Sequence, residues 1–256
     1  KLARRTLEYV ESSAKRPGLA RRLDEMEKRH QAGKVPSDNA REFYLQLRWL
    51  RREILLSHPE LDFASLLINK RPPTNYSHMC DQYLAQHNEP GPGLVRLNDW
   101  KSGQPKSVEL LKDKLPEGCT LRPDLSFDGR RVVFAFNDCT IQDRRHRRFW
   151  LYELDLASGR VRQITGTPAD PLAGRDGRQT VLIEDWDPCY LPDGGIVFVS
   201  TRNQTYGRCH GSRYTPAYMV YRMTGSDAGT VRPLSFGEAN EWDPAVLHDG
   251  RIIYTR

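Results

Sequence analysis

No stretch of the 256-residue chain is apolar enough to cross a bilayer as a helix. Apolar runs such as Ile196–Val199 fall far short of the ~18–20 residues that a spanning helix requires. The Gly-x-Ser-x-Gly elbow, the P-loop and the Gly-x-Gly-x-x-Gly turn are also missing, so serine hydrolase, P-loop nucleotide and Rossmann readings lack support. The five cysteines (80, 119, 139, 189 and 209) are odd in number and include no Cys-x-x-Cys pair, which disfavours a zinc ribbon and a full disulfide framework. Excess charge is confined to one end. The net +6 belongs entirely to residues 1–56, with 14 Lys/Arg against 8 Asp/Glu, whereas residues 57–256 carry 25 of each. The neutral bulk supplies no folded basic face, so no nucleic-acid partner is expected. Apolar residues make up 38% and the mean hydropathy is -0.68, enough for a core in a chain rich in loops or exposed helix.

What is present falls into two characters. From Lys1 to about Leu56 the pattern is helical: Leu19, Leu23 and Met26 recur at spacings of four and three, and Phe43, Leu47, Leu50 and Ile54 do the same. Pro17 and the Gly33-to-Ser37 stretch break these runs, and Ser37 and Asp38 are placed to cap the last helix. Helices this charged rarely fold unaided, so this segment is expected to dock on the next domain through Leu47, Leu50 and Ile54. After Pro59 the chain turns to short β-branched and aromatic runs punctuated by Gly, Pro and Asp, which marks an all-β domain. The expected division is a charged helical segment over 1–58 and β repeats over 59–256.

Self-similarity decides how those strands are organised. Arg122-Pro-Asp-Leu-Ser-Phe-Asp-Gly129 precedes Val132-Val-Phe134, Asp187-Pro-Cys-Tyr-Leu-Pro-Asp-Gly194 precedes Ile196-Val-Phe198, and Asp243-Pro-Ala-Val-Leu-His-Asp-Gly250 precedes Ile252-Ile-Tyr254. Each Asp-Gly predicts a tight hairpin turn. A loop and a second hairpin follow in each unit: Phe149–Leu156 with Val161–Ile164 in one, and Ala217–Met223 with Val231–Leu234 across Gly225–Gly229 in the next. A weaker earlier copy pairs Leu94–Leu97 with Ser107–Leu111. Four strands per ~50–65 residues predict propeller blades. The fold expected is therefore mainly β, a partial β-propeller of about three four-stranded blades plus the start of a fourth, preceded by an α-helical segment. A β-sandwich accounts for the alternating strands but not for the repeated Pro-x-x-x-x-Asp-Gly. The chain begins at Lys1 and stops at Arg256 directly after a strand-like run, so a piece of a longer protein is expected.

The repeats resemble TolB-type propeller blades and, more closely, the middle region of hydrazine synthase alpha-subunit-like proteins. The resemblance runs through His78-Met-Cys-Asp-Gln-Tyr83, the three Pro-x-x-x-x-Asp-Gly units, Gly207-Arg-Cys-His210 and Asn240-Glu-Trp-Asp-Pro244, and covers about 60–256. It implies a periplasmic or otherwise extracytoplasmic protein, and a place among multi-haem assemblies.

In a four-stranded blade, the loop between the second and third strands opens at the same end as the connection into the first strand. That geometry gathers Asp124, Asp185, Trp186, Asp187, Glu241, Trp242 and Asp243 on one channel face, with the loops that carry Cys139, His146, Cys209 and His210. A c-type haem is attached through Cys-x-x-Cys-His, and here Tyr206 stands at the first cysteine position before Cys209-His210. Two-point attachment is thereby excluded. A single thioether to haem, a zinc held by thiolate and imidazole, or a loop that binds nothing all stay open. His78 and Cys80, spaced i, i+2, share one face of a strand and suit either a metal or core packing. Asp187 and Asp243 recur at one position, each before proline. They are expected to accept backbone N–H bonds in adjoining loops, with an acid/base pair or a cation such as Ca²⁺ as the chemical alternatives. Two functions follow from these readings. One is a scaffold that binds a protein partner or small ligand at its channel face, and the other is a redox-enzyme subunit with haem or metal near Cys209 and His210.

Overall fold

The structure is a computed structural model that describes residues 1–33, 39–73, 85–168, 170, 183–203, 217–237 and 239–256. It is mainly β, with four antiparallel sheets and three α-helices among the described residues. The chain divides into two compact units, Lys1–Leu66 with Leu97–Lys106, and Leu67–Arg96 with Ser107–Arg256. No helix of the described residues is long and apolar enough to cross a membrane.

The first unit contains α1 (Leu2–Glu11), α2 (Pro17–Gln31) and α3 (Ala40–Leu56). Pro17 occupies the first turn of α2, where a missing N–H costs nothing, and Lys28, Arg29 and His30 face the negative end of its dipole. Residues Ser37 and Asp38 lie outside the described residues. Asn39 precedes α3 and makes no side-chain cap. The helices close on one another: Ala3, Leu7 and Val10 of α1, Leu23 of α2, and Leu50 and Ile54 of α3 form one buried cluster, with Leu19, Met26 and Leu47 at its margin. The Leu47, Leu50 and Ile54 stripe, expected to dock on the β repeats, is thus taken up by α1 and α2. The reason is that α1 brings a matching stripe of its own. Arg4 binds Asp24 and Glu27, and Arg22 binds Glu53, at the surface of this bundle.

The strands are β1 (Ser65–Lys70), β2 (Gly93–Asn98), β3 (Lys106–Glu109), β4 (Gly118–Leu125), β5 (Arg131–Asp138), β6 (Phe149–Asp155), β7 (Val161–Gln163), β8 (Asp185–Tyr190), β9 (Ile196–Ser200), β10 (Met219–Thr224), β11 (Asp227–Pro233), β12 (Trp242–Val246) and β13 (Ile252–Thr255). They form sheets of orders β1-β2-β3, β4-β5-β6-β7, β8-β9-β10-β11 and β12-β13. Within the larger unit the sheets stack face to face in chain order. Alternate residues of β5 serve two cores: Val132, Phe134 and Phe136 pack with Leu94 and Leu111, while Val133 and Ala135 pack with Ile196 and Phe198 of β9. A strand buried on both faces reads as an unbroken apolar run, which explains the Val132-to-Phe136 stretch. Val197 and Val220 face Val246 and Ile252 in the next layer.

The recurring Pro-x-x-x-x-Asp-Gly has a local cause at its far end. The side chains of Asp128, Asp193 and Asp249 each accept the N–H two residues on, and Gly129, Gly194 and Gly250 take φ of 69°, 80° and 84°. The carboxylate mimics a backbone acceptor and glycine supplies the left-handed residue that closes the turn. The last hairpin of the β8–β11 sheet is tighter than expected. Its strands reach Thr224 and Asp227, leaving Gly225-Ser226 as the turn, and a bulge between Arg222 and Thr224 absorbs the difference.

Candidate functional site

The other end of the same repeat carries an irregularity in all three first strands. Register shifts occur between Leu121 and Asp124, Trp186 and Cys189, and Trp242 and Ala245. At each bulge the residue before proline has positive φ: Arg122 at 41°, Asp187 at 49° and Asp243 at 52°. Non-glycine residues seldom adopt this conformation, and bulges re-aim a side chain out of the strand's alternation. Here they bring three side chains from three successive sheets together. Arg122 Nη2 lies 2.8 Å from Asp243 Oδ1, and Arg122 Nε lies 3.8 Å from Asp187 Oδ1. Asp187 Oδ2 accepts the Asp243 N–H at 3.2 Å. Arg122 and Asp243 remain open to solvent, whereas the Asp187 carboxylate is 1% exposed and its Oδ1 has no hydrogen-bond donor among the described residues. Burial, and then the like charge of Asp243, push the Asp187 carboxyl up to about 7, with Arg122 opposing them. The arrangement offers an exposed guanidinium fork, an exposed carboxylate and a buried acid whose pKa is raised.

The remaining residues gathered by sequence have structural duties. Asp124 sits past the bulge, level with Cys189 and Ala245, so Arg122 and not Asp124 is the register mate of Asp187 and Asp243. The Asp124 carboxylate accepts the Tyr190 N–H at 2.7 Å, joining neighbouring first strands, and burial raises its pKa. Asp185 is held by Arg202, whose guanidinium also grips Asp170 at 2.7 Å through both terminal nitrogens. Trp186 is wholly buried and meets Tyr218 edge to face at 5.1 Å, and Trp242 packs against the same core. Glu241 is buried and accepts the Val220 N–H at 3.1 Å and the Ser235 hydroxyl.

The acceptors expected for backbone N–H groups extend further than the two repeated aspartates. Glu184 Oε1 accepts the Phe149 and Ala85 N–H groups at 3.2 and 3.3 Å, and Asn240 Oδ1 accepts the Tyr218 N–H at 3.2 Å. In each case a residue at the opening of one sheet completes the third strand of the sheet before it. Glu184 is fully buried, which pushes its carboxyl up to about 8. Thr165 and Ser235 close the sheets in the same manner, each hydroxyl accepting the N–H of Leu151 or Val220 at 3.0 Å. Their shared sequence, Val-Arg-x-Ile/Leu-Thr/Ser over 161–165 and 231–235, was a visible signal of this role. Arg202 had none, because its partners lie 17 and 32 residues away.

His78, Cys80, Tyr206, Cys209 and His210 lie outside the described residues. Among the described residues no group of three or more His, Cys, Asp and Glu side chains is placed to hold a metal ion. Cys139 lies in its loop beside Arg147, which donates to the carbonyls of Ile141 and Cys139 at 2.9 and 2.6 Å. Burial pushes the Cys139 thiol up to about 11.

No protein-family model matches the chain, and a search of curated proteins found no match. Among solved structures, TolB from Acinetobacter baumannii is similar at 16% identity with a TM-score of 0.31. The match covers 82% of this chain and 53% of that one, so the chain spans about half the length of that protein. A likeness at that level assigns neither activity nor partner. The resemblance to hydrazine synthase alpha-subunit-like proteins has no counterpart in these comparisons.

Proposed function

We propose that the chain forms part of a β-propeller scaffold that binds a protein partner or small ligand where Arg122, Asp187 and Asp243 meet. The observation that carries the reading is the convergence of one repeated bulge position from three successive sheets, two of its residues solvent-open. The face-to-face stacking of the sheets in chain order supports the propeller architecture. A mixed donor and acceptor pair, rather than a ring of acids, suits a ligand that carries both polar signs, such as a peptide terminus with its neighbouring amides. The further placement in an extracytoplasmic, hydrazine synthase alpha-subunit-like protein rests on the sequence motifs alone. The redox alternative depends on Cys209 and His210 and draws no support from the described residues.

A thermal-shift screen of small zwitterions and dipeptides against the whole chain tests the binding role. Hits should lose their stabilising effect in Asp243→Asn and keep it in Asp249→Asn, at the hairpin end of the same repeat. Ligands that ignore Asp243, or stabilise both variants equally, would exclude this site.

A further inference from the structure

Helix α3 spends only one of its faces on the helical core. Leu50 and Ile54 are buried there, while Tyr44, Leu45, Trp49 and Leu55 are exposed, Trp49 at 64%. Residues three and four apart share a helix face, so Leu45, Trp49, Arg52 and Leu55 form one continuous strip flanked by Arg48 and Arg51. Six of these residues, Leu45, Arg48, Trp49, Arg51, Arg52 and Leu55, line an open groove of about 380 Å³. A second groove adjoins it, lined by Trp49, Arg52, Glu53, Leu56 and Ser57 with Lys101 and Gly103 of the same unit.

The lining of the first groove carries three arginines and no carboxylate. Arg4 and Arg22 each bind a carboxylate on a neighbouring helix, and Lys15 and Lys101 also face acids. Among the described residues the three arginines of the strip bind neutral groups. Arg48 donates to the Tyr44 hydroxyl at 3.1 Å, Arg51 to the Thr6 hydroxyl at 3.1 Å, and Arg52 to the Lys101 carbonyl at 3.2 Å. Arg48 also lies over the Tyr44 ring and Arg52 over the Trp49 ring, each at 5.8 Å. Stacking on an aromatic ring holds a guanidinium in place and leaves its outer edge free to meet an anion.

We propose that this face of α3 docks an acidic amphipathic helix of a partner protein. Apolar side chains of the partner would fill the groove beside Trp49, and its carboxylates would meet Arg48, Arg51 and Arg52. Charge complementarity selects the partner's sign, and exposed Trp and Arg are the residue types that most often anchor protein interfaces. A membrane surface fits less well, because the arginines interleave with the apolar side chains instead of flanking a separate apolar face. This inference does not depend on the sheets or on the site at Arg122.

The test is a selection of 18-residue peptides from a random display library against the whole chain, followed by binding measurements with synthetic copies. The enriched peptides should be acidic with apolar residues at helical spacing, and should weaken with added salt. Trp49→Ala and Arg48→Glu should each reduce binding at least tenfold without changing the circular dichroism or melting temperature, since both side chains are exposed. Arg41→Glu, at the start of the same helix, should have a much smaller effect. Enrichment of neutral or basic peptides, or binding that survives both substitutions, would overturn the proposal. So would vesicles of anionic phospholipid or single-stranded DNA that bind the whole chain more tightly than the peptides and lose binding in the same variants.

Discussion

In the β4–β7 sheet the bulged residue of the first strand is Arg122, and in the β8–β11 sheet it is Asp187, each followed by proline. Around them the two sheets share their backbone devices. The Ile164 and Leu234 N–H groups bond the Leu151 and Val220 carbonyls at 2.7 and 2.8 Å, and Thr165 and Ser235 supply matching hydroxyls. The differences fall where side chains leave that frame. At the opening of the first strand, Cys119 and Thr120 in one sheet stand level with Glu184 and Asp185 in the other, and only the latter pair is acidic. Backbone satisfaction is therefore the repeated part of this molecule, and charge is the part that each sheet varies.

The largest expected effect comes from the Asp170–Arg202–Asp185 cluster, in which the cation and both carboxylates are buried. Arg202→Met should leave the buried Asp170 and Asp185 carboxylates without their shared cation. Removing one partner of a buried ion pair costs about 3–5 kcal/mol, so the urea midpoint should fall markedly. Asp138→Ala, at the level of Arg202 in the β4–β7 sheet, should cost far less. Equal losses in the two variants would show that the sheets are not differently charged in any energetic sense.

A second contrast concerns the proton on Glu184. Burial pushes its carboxyl up to about 8 from an ordinary 4.5, so between those values the folded chain holds a proton that the unfolded chain releases. This contribution to stability is full below about pH 4.5 and is lost as pH rises through about 8, with a slope of up to about 1.4 kcal/mol per pH unit. Asn240 accepts the equivalent N–H without a titratable group. Glu184→Gln should therefore flatten the pH profile and raise the melting temperature at pH 8 relative to the parent. A profile unchanged by the substitution would mean that Glu184 is ionised in the fold.

The smallest effect sharpens the comparison further. Thr165→Val removes the hydroxyl that accepts the buried Leu151 N–H, and an unsatisfied buried donor costs about 1–3 kcal/mol. Ser235→Ala should cost less, because Glu241 also accepts the Val220 N–H. The order of the two losses in a denaturant titration is the measurement, and a reversed order would deny Glu241 its supporting role.

Much of the sheet frame was legible because a hairpin needs Asp-Gly at one place, and strands buried on both faces need continuous apolar runs. Asp187 and Asp243 stood out because proline marked their positions. Arg122 occupies the same position before proline, but its positive charge sets it apart from the repeated acids, whereas Asp124 shares their charge and not their register. The α3 stripe was legible as a stripe and misdirected, since periodicity shows that a face is apolar without naming what covers it. Asp170, Asp185 and Arg202 meet only through the fold, and no spacing along the chain announces them.

The acceptors for the Phe149 and Tyr218 amides lie 35 and 22 residues further along the chain, in the next sheet. Each four-stranded sheet is thus finished by its successor, and the free energy of this pair is expected to behave as nearest-neighbour couplings rather than a sum of independent sheets. Native-state hydrogen exchange would make that coupling visible. Protection at the Phe149 amide should report the local opening of the β8–β11 sheet, and protection at Tyr218 that of the β12–β13 sheet, so that two amides act as gauges of their downstream neighbours.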